Sequence, residues 1–488
     1  MTGVRFGALA VLVVAMLFVV GSAAGAPGML DSGFGASGVV ASFLSSNGSN
    51  ATALLLQPDG KIVAVGDANS PTDVSSGIGL ARYQPHGSLD PSFGSGGVVT
   101  TSIAGGQSFA DAAVLQSDGK IVVAGEYDAQ GSPSAFALLR YNSNGSLDSS
   151  FGTDGVVTTQ VENVGSEASS VVLQPDGKIV AGGEATNSGG QGSALVRYLS
   201  NGSPDTSFGS NGIVFDADGG QSGFTAVALQ ADGKILGVGH NTPLTRFDSD
   251  GAVDTGFGSA DSPPAAAGLA VQTDGKIVGV GGESDSFVVV RVNSDGTNDL
   301  TFGSDGNVTT PIGAGTTRAS SVAVQPDGKL VVAGTSQANG GSGDQDLFTL
   351  ARYNPGGSLD STFGNGGIVT TLPQSWTSAS AAAVALQPDG KIDVAGQALV
   401  TGWASWQFGL ARYLGDGGTL TVQKAGTGTG SVSSNPSGIA CGATCSVRFA
   451  AVPVALTATP AAGSTFTGWS GACSGTGLCQ VQMSADRT

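Results

Sequence analysis

Short apolar runs alternate with polar residues along most of the chain, and each run closes on a turn containing Gly, Asp or Asn. In one stretch Val114-Leu115-Gln116 leads into Asp118-Gly119, a pair suited to a tight hairpin with positive φ. Lys120 to Ala124 (Lys-Ile-Val-Val-Ala) predicts the returning strand, because β-branched residues fit a pleated surface. Phe136 to Tyr141 predicts a third strand, turned by Asn144-Gly145. The fourth passes through Leu147-Asp148 and Phe151-Gly152 to Gly155-Val156-Val157-Thr158. These strands are termed a, b, c and d.

The unit recurs seven times. Asp-Gly-Lys begins at Asp59, Asp118, Asp176, Asp232, Asp274, Asp327 and Asp389, each with a Gln two residues earlier. An Arg recurs at 82, 140, 197, 246, 291, 352 and 412. Phe-Gly recurs at Phe34, Phe93, Phe151, Phe208, Phe257, Phe302 and Phe363, with an Asp three residues before each Phe. Four short antiparallel strands cannot bury both faces alone, so neighbouring units must stack, and a closed ring leaves the fewest edges. The ends point to closure: Leu30-Asp31-Ser32-Gly33-Phe34-Gly35 is d-type text without a preceding c strand, and Phe408 to Tyr413 is c-type text without a following Phe-Gly. The expected fold is all-β, a seven-bladed β-propeller of four-stranded blades closed by the N-terminal strand, over residues 27–416. Only 17 positions separate Phe257 from Asp274, against 24 to 26 elsewhere, and Pro263-Pro264 replace the Val-Val-Thr text. A shortened outer strand is expected there, since Pro cannot donate to a ladder.

Composition narrows the function. With 81 Gly and 19 Pro in 488 residues, long helices are excluded, while 40% hydrophobic residues against 11% charged ones mark a core-forming chain. Nineteen Lys and Arg face 37 Asp and Glu, and seven Lys and seven Arg are repeat positions, so no basic patch remains for nucleic acid. Each repeat Arg is expected to pair with the Asp of its own blade or with a backbone carbonyl, orienting the blades. Residues 1–26 carry Arg5, an apolar run from Ala8 to Val20 and Ala24-Gly25-Ala26, which reads as a secretory signal peptide; no later segment is long enough to span a bilayer. A secreted or cell-surface monomer is expected.

The repeat Arg always precedes the next Phe by 11 residues, whereas the b–c distance varies from 6 (His240 to Arg246) to 17 (Thr335 to Arg352). Variation therefore gathers on the face that carries the b–c and d–a connections, where a rigid scaffold would present a ligand. Just past strand b on that face stand Asp67, Glu126, Glu184, His240, Glu283, Thr335 and Gln397, suited to a cation, a basic peptide or a sugar hydroxyl. Trp403 joins them as an exposed aromatic, while Trp406 alternates in phase with Phe408 and Leu410 and is expected between blades. His86 occupies a turn position, and neither it nor His240 has a recurring Ser or Cys partner. No catalytic set is nominated and the chain is expected not to be an enzyme. Calcium is the one cofactor weighed, at Asp248-Ser249-Asp250-Gly251 with Asp254 and at Asn293-Ser294-Asp295-Gly296 with Asp299. Asx-turns explain the same letters, and neither cofactor nor metal is expected.

After Gly417-Gly418 the text changes, and all four Cys follow, at Cys441, Cys445, Cys473 and Cys479. Residues 417–488 predict a small β module with disulfides; four Cys allow three connectivities, of which the local pairs Cys441–Cys445 and Cys473–Cys479, each closing a Gly-containing turn, are the expected one. Zinc is the alternative, disfavoured by the spacing and the absence of His.

Phrases such as LQPDGKIVVAG, LARYNP and GSLDSTFGNGGIVTT resemble the delta-60 repeats of bacterial exported proteins, which implies β-propeller units and carries no catalytic residues. GSVSSNPSGIACGATCSVRF and LTATPAAGSTFTGWSGACSGTGLCQVQMSADRT resemble divergent internalin-type B repeats. That resemblance implies a spacer or display module ending in one more strand, so the module is expected to be incomplete at Thr488. The leading expectation is an exported or cell-surface binding or scaffold protein that engages glycan or protein through the variable-loop face. The rival is an extracellular polysaccharide hydrolase or lyase using carboxylates on the same face.

Overall fold

The computed structural model describes residues 26–69, 76–129, 131–216, 223–240, 242–258, 262–313, 315–338, 345–441, 444–450, 452–483 and 486–488. The expected signal peptide lies outside them, apart from its last residue.

Seven antiparallel sheets precede Gly418, with no helix among the described residues. Blade 2 shows the pattern: Gly106–Leu115 (a), Ile121–Ala129 (b), Ala135–Tyr141 (c) and Val156–Thr159 (d), hydrogen-bonded in that order. The a strands of successive blades contact one another around the ring, so they line its centre and the d strands lie outside. The apolar cores sit between blades: Val122, Leu138 and Phe151 of blade 2 pack with Ile179, Val196 and Tyr198 of blade 3. In five blades a bulge in strand a imposes one Gly on strand b. The irregularity between Ala110 and Ala112 pushes the Phe109 carbonyl toward strand b, where a Cβ on Gly125 would stand 2.0 Å from its oxygen. Gly66, Gly183, Gly334 and Gly396 meet the same obstruction in their own blades.

The ring closes as the sequence predicts. Val39–Ser42 runs antiparallel to Gln407–Tyr413, from Val39 opposite Ala411 to Ser42 opposite Phe408, and completes blade 7. Leu30 bridges Tyr413 as Leu147 bridges Tyr141. One blade has fewer than four strands among the described residues, and it is the blade of Phe257, for which a shortened outer strand is expected. Blade 4 has three strands, Ala226–Leu229, Ile235–Gly239 and Thr242–Phe247, and no d strand among the described residues. The shortened text around Pro263-Pro264 instead lies on blade 5, with the Pro263 ring against the Gly279 position.

The repeat Arg does both of the jobs expected of it, and a third. Arg140 Nε pairs with Asp148 at 2.8 Å, its Nη1 donates to the Ser200 carbonyl of blade 3, and its guanidinium stands 4.5 Å from the centre of the Phe151 ring. The same stacking recurs in all seven blades at 4.2 to 4.6 Å, including Arg412 over Phe34 across the closure. Two blades vary the partners. Arg412 pairs with Asp393 at 2.6 Å, because blade 7 has Asp where its siblings have Val or Leu, and Asp31 pairs with Lys391 instead. In blade 6, Arg352 and Lys329 both reach Asp416, at 2.9 and 2.7 Å, where the chain leaves the ring.

The last part forms two small sheets. Gly418–Gln423 pairs with Thr444–Phe449, and Ala440–Cys441, Gly430–Asn435, Pro453–Pro460 and Cys479–Gln482 form the other. Cys473 and Cys479 are bonded as expected. Cys445 is also disulfide-bonded, and the expected partner Cys441 has its side chain outside the described residues.

Candidate functional site

The bulge that forces Gly125 also decides what stands at the channel mouth. Thr52, Asp111, Ser169, Ser320 and Ala382 are the extra residues in the a strands of blades 1, 2, 3, 6 and 7. Thr52 uses its hydroxyl to donate to the Ala110 carbonyl of the next blade at 2.6 Å. Asp111 at the same place is acidic, and its Oδ2 is buried without a hydrogen-bond partner.

Five carboxyl groups from three consecutive blades gather here: Asp67 of blade 1, Asp111 and Glu126 of blade 2, and Glu167 and Glu184 of blade 3. Glu167 lies opposite Glu184 in the strand register. Asp67 accepts from the Ala110 amide at 2.9 Å, tying blade 1 to blade 2, and Gln191 donates to Glu184 at 2.6 Å. Burial, then the charges of Glu167, Asp67 and Glu126, push the Asp111 carboxyl up to about 8. Burial, then Glu126, Glu184 and Asp67, raise Glu167 to about 7. Burial brings Asp67 to about 6 against the bonds from Ala110 and Asn50, and burial also raises Glu126. None of the five makes an ion pair among the described residues. The described ion pairs of the repeats use the Lys and Asp of the a–b turn, the repeat Arg and the Leu-Asp step, on the other side of the ring.

A carboxyl raised on folding contributes stability that is complete below its unfolded pKa near 4 and is lost as pH rises through its folded value. The cluster should therefore lower the melting temperature between pH 5 and 9, as Asp67, Glu167 and Asp111 ionise in turn. Asp111→Asn is expected to melt higher than the parent at pH 9 and to differ little at pH 5. Scanning calorimetry at the two pH values checks this, and equal shifts at both would contradict the shared-charge account.

The remaining expected residues are dispersed. His240 and Glu283 are exposed at the ends of the b strands of blades 4 and 5, away from the carboxyl group. Thr335 is an inter-blade link: its hydroxyl lies 2.8 Å from Ser380 Oγ and accepts from the Ala381 amide at 3.2 Å. Gln397 is half-buried, opposite Ser380 and Phe408. Trp403 is 58% exposed, with its ring 4.4 Å from that of Phe43, just past the outermost strand of blade 7. Trp406 is half-buried, and its carbonyl accepts from the Ser49 amide of blade 1. Trp376, 4% exposed against Phe348, is the aromatic between blades 6 and 7. Asp111 and Glu167 were not among the expected site residues. Their signal is an acid inside an a strand of small and apolar residues, FADAAVL and GSEASSVVL.

The turns weighed for calcium are occupied by the chain itself. Asp254 and Asp248 hold Lys234 at 2.6 and 2.8 Å, Asp250 caps the Ala252 amide, and Asp299 holds Lys276 and Arg291 at 2.7 Å. Among the described residues no group of three or more His, Cys, Asp or Glu is arranged to hold a metal ion, and no helix is long and apolar enough to cross a membrane.

Fold and repeat together define a β-propeller repeat protein. Residues 57–93, 116–151, 174–208, 272–302, 325–363 and 387–417 match the family described as a domain of unknown function (DUF5122) beta-propeller. The chain belongs to these repeat proteins and carries a divergent InlB B-repeat domain at 419–488. No curated protein matches it. Among solved structures it is similar to a catalytically inactive virginiamycin B lyase from Staphylococcus aureus with quinupristin, at 12% identity and a TM-score of 0.44, covering 76% of this chain and 98% of that one. It is also similar to the polysaccharide lyase Uly1, at 11% identity and a TM-score of 0.41, covering 75% and 90%. The expectation that the chain is not an enzyme is corrected by this finding, since solved structures similar to it include lyases. Neither their reactions nor their residues carry over at this likeness.

Proposed function

We propose that this chain is an exported or cell-surface binding protein that engages a glycan or a protein through the propeller face bearing the b–c connections. The observation that carries this reading is the gathering of Asp67, Asp111, Glu126, Glu167 and Glu184 at the channel, with no ion pair to any of them among the described residues. Unpaired carboxyl groups in a partly desolvated site accept hydrogen bonds from hydroxyl and ammonium donors and repel polyanions. The ligand is thus rich in hydroxyl groups or in Lys and Arg, and is not a polyuronate. The Cys473–Cys479 disulfide and the InlB-type domain support a location outside the cytoplasm.

Neutral glycan and basic-peptide arrays test the reading. The full chain is expected to be retained at pH 8, and the Asp111→Asn/Glu167→Gln pair to lose about tenfold or more in affinity, as for a lost charge-assisted bond. Equal binding by the pair would remove the cluster from the site. One observation favours the rival hydrolase reading: Asp111, raised to about 8, keeps its proton at neutral pH and could supply it to a leaving group. Turnover of a neutral polysaccharide without stable retention, abolished in Asp111→Asn, would reverse the order of the two.

A further inference from the structure

We infer that Asn365 is a site of spontaneous covalent modification, at which the backbone closes on the side chain, ammonia leaves and water yields aspartate or isoaspartate. Asn is followed by Gly at Asn47, Asn144, Asn201, Asn211, Asn339 and Asn365. The reaction needs the amide nitrogen of that Gly as nucleophile, so an amide held in a hydrogen bond is withdrawn from it. Gly145 donates to the Asn142 carbonyl and Gly202 to the Leu199 carbonyl, each at 2.9 Å, and Gly212 donates to Phe208 at 2.8 Å. All three are buried. The side-chain oxygens of Asn144 and Asn201 are held as well, by Ser146 and Ser203. Gly48 donates more weakly, to Ser45 at 3.4 Å, and Asn339 lies outside the described residues. Asn365 and Gly366 are both exposed, and neither the Asn365 side chain nor the Gly366 amide has a hydrogen bond among the described residues. A Cβ on Gly366 would meet no atom within 4 Å beyond its chain neighbours.

A one-residue offset within a shared turn makes the difference. In the turn before the d strand, two residues with positive φ stand between a hydrogen-bonded pair. In blade 6 these are Gly366 at +64° and Gly367 at +102°, between Asn365 and Ile368, which exchange backbone bonds at 2.8 and 3.3 Å. Blade 3 has Asn211 at +54° and Gly212 at +95° in the same two places. The second residue donates its amide inward, Gly212 to Phe208 and Gly367 to Phe363, whereas the Gly366 amide is left in solvent. The Gly366 nitrogen gives up its proton to hydroxide and attacks the Asn365 Cγ. The N–Cγ bond forms, the Cγ–Nδ2 bond breaks, and the amine departs as ammonia with a proton from water. Water then opens the cyclic imide, at Cγ to give aspartate and at the backbone carbonyl to give isoaspartate. The extra main-chain atom of isoaspartate falls inside the tight turn closed by Asn365 and Ile368, next to the Gly364 amide that donates to Pro27 of the N-terminal segment at 2.9 Å. The site does not rest on the binding reading given to the opposite face.

The test is incubation of the full chain at pH 8, followed by digestion and mass spectrometry, where each conversion adds one mass unit. An endoproteinase that cuts before Asp but not before isoaspartate separates the two products. Conversion at Asn365 is expected to run about tenfold or more faster than at Asn144, Asn201 and Asn211, whose Gly amides react only in locally opened molecules. In urea the four should convert at similar rates, since Gly follows each. Gly366→Asp introduces the residue that blades 2 and 5 carry there, at Asp154 and Asp305 with φ of +51° and +55°, and should slow conversion at Asn365 by crowding the nitrogen. If that variant fails to fold, the comparison of folded and urea-treated parent still decides. No conversion at Asn365, equal rates at the four Asn in the folded chain, or the same order of rates in urea would overturn the proposal.

Discussion

Phe151→Ala is expected to destabilise the propeller by about 3–5 kcal/mol, in the range for a fully buried aromatic truncated to Ala. The ring is 0% exposed and lies in the core shared by blades 2 and 3, beside Leu138, Ile179 and Tyr198. Its own backbone holds the site rigid: Phe151 donates to the Asp148 carbonyl at 3.0 Å, and Gly155 donates back to the Phe151 carbonyl at 2.9 Å. Gly152 at φ +53° and Gly202, whose missing Cβ would stand 2.9 Å from the ring, close the remaining sides. Such a site cannot collapse onto a smaller side chain, so the cavity cost is retained. Chemical denaturation of the full chain measures the effect. An unchanged midpoint would place the ring outside the inter-blade core.

Arg140→Ala is expected to cost a similar amount, about 3–5 kcal/mol, because removing one partner of a buried ion pair leaves the other uncompensated. Asp148 would keep Ser150 and Lys120 at 3.3 Å, but would lose the guanidinium, and the Ser200 carbonyl of blade 3 would lose its donor. Lys in its place could not make the fork to Asp148 and Ser200 while covering the ring. Acid unfolding gives an independent readout. Hydrogen bonds from Ser150 outweigh burial and, with the charge of Arg140, hold the Asp148 carboxyl well below its ordinary range. A depressed carboxyl contributes stability that is present above its unfolded pKa near 4 and is lost as pH falls through the folded value. The parent should therefore keep this contribution well below pH 4, and Arg140→Ala should begin to lose it nearer pH 4. Because Arg140 and Phe151 touch, the double variant should cost less than the sum by about 0.5–2 kcal/mol. Full additivity would show that the stacking contributes nothing.

The architecture was open to sequence reasoning because each blade repeats the same local chemistry. Asp118-Gly119 turns where the pair predicts, with Gly119 at φ +83° and Asp118 capping the Lys120 amide at 3.1 Å. The lone d-type text at Leu30 finds the lone c-type text at Arg412, where it supplies the outer strand that blade 7 lacks in its own sequence. What escaped was whatever depends on a three-dimensional neighbour. The Arg–Phe stacking joins positions 11 apart through a turn, so their constant spacing was visible and its reason was not. The carboxyl cluster was half visible: Asp67, Glu126 and Glu184 share one strand position, whereas Glu167 reaches them from the next strand over, in register with Glu184, and Asp111 through a bulge that no spacing marks. Thr335 and Gln397 share that strand position too, yet Thr335 links blades. Position in the repeat specifies the place of a side chain, and its neighbours then decide its role.

Ring closure is tested most directly by a cross-strand disulfide. Arg412 donates to the Gly38 carbonyl at 2.9 Å, so the adjoining pair, Val39 and Ala411, is the closer-spaced kind in which the side chains approach. Val39→Cys/Ala411→Cys should form that bond on folding, read as a linked peptide by mass spectrometry of the digested, unreduced protein. Two free thiols at these positions in a folded chain, with Cys473–Cys479 intact, would contradict a propeller closed by its N-terminal strand.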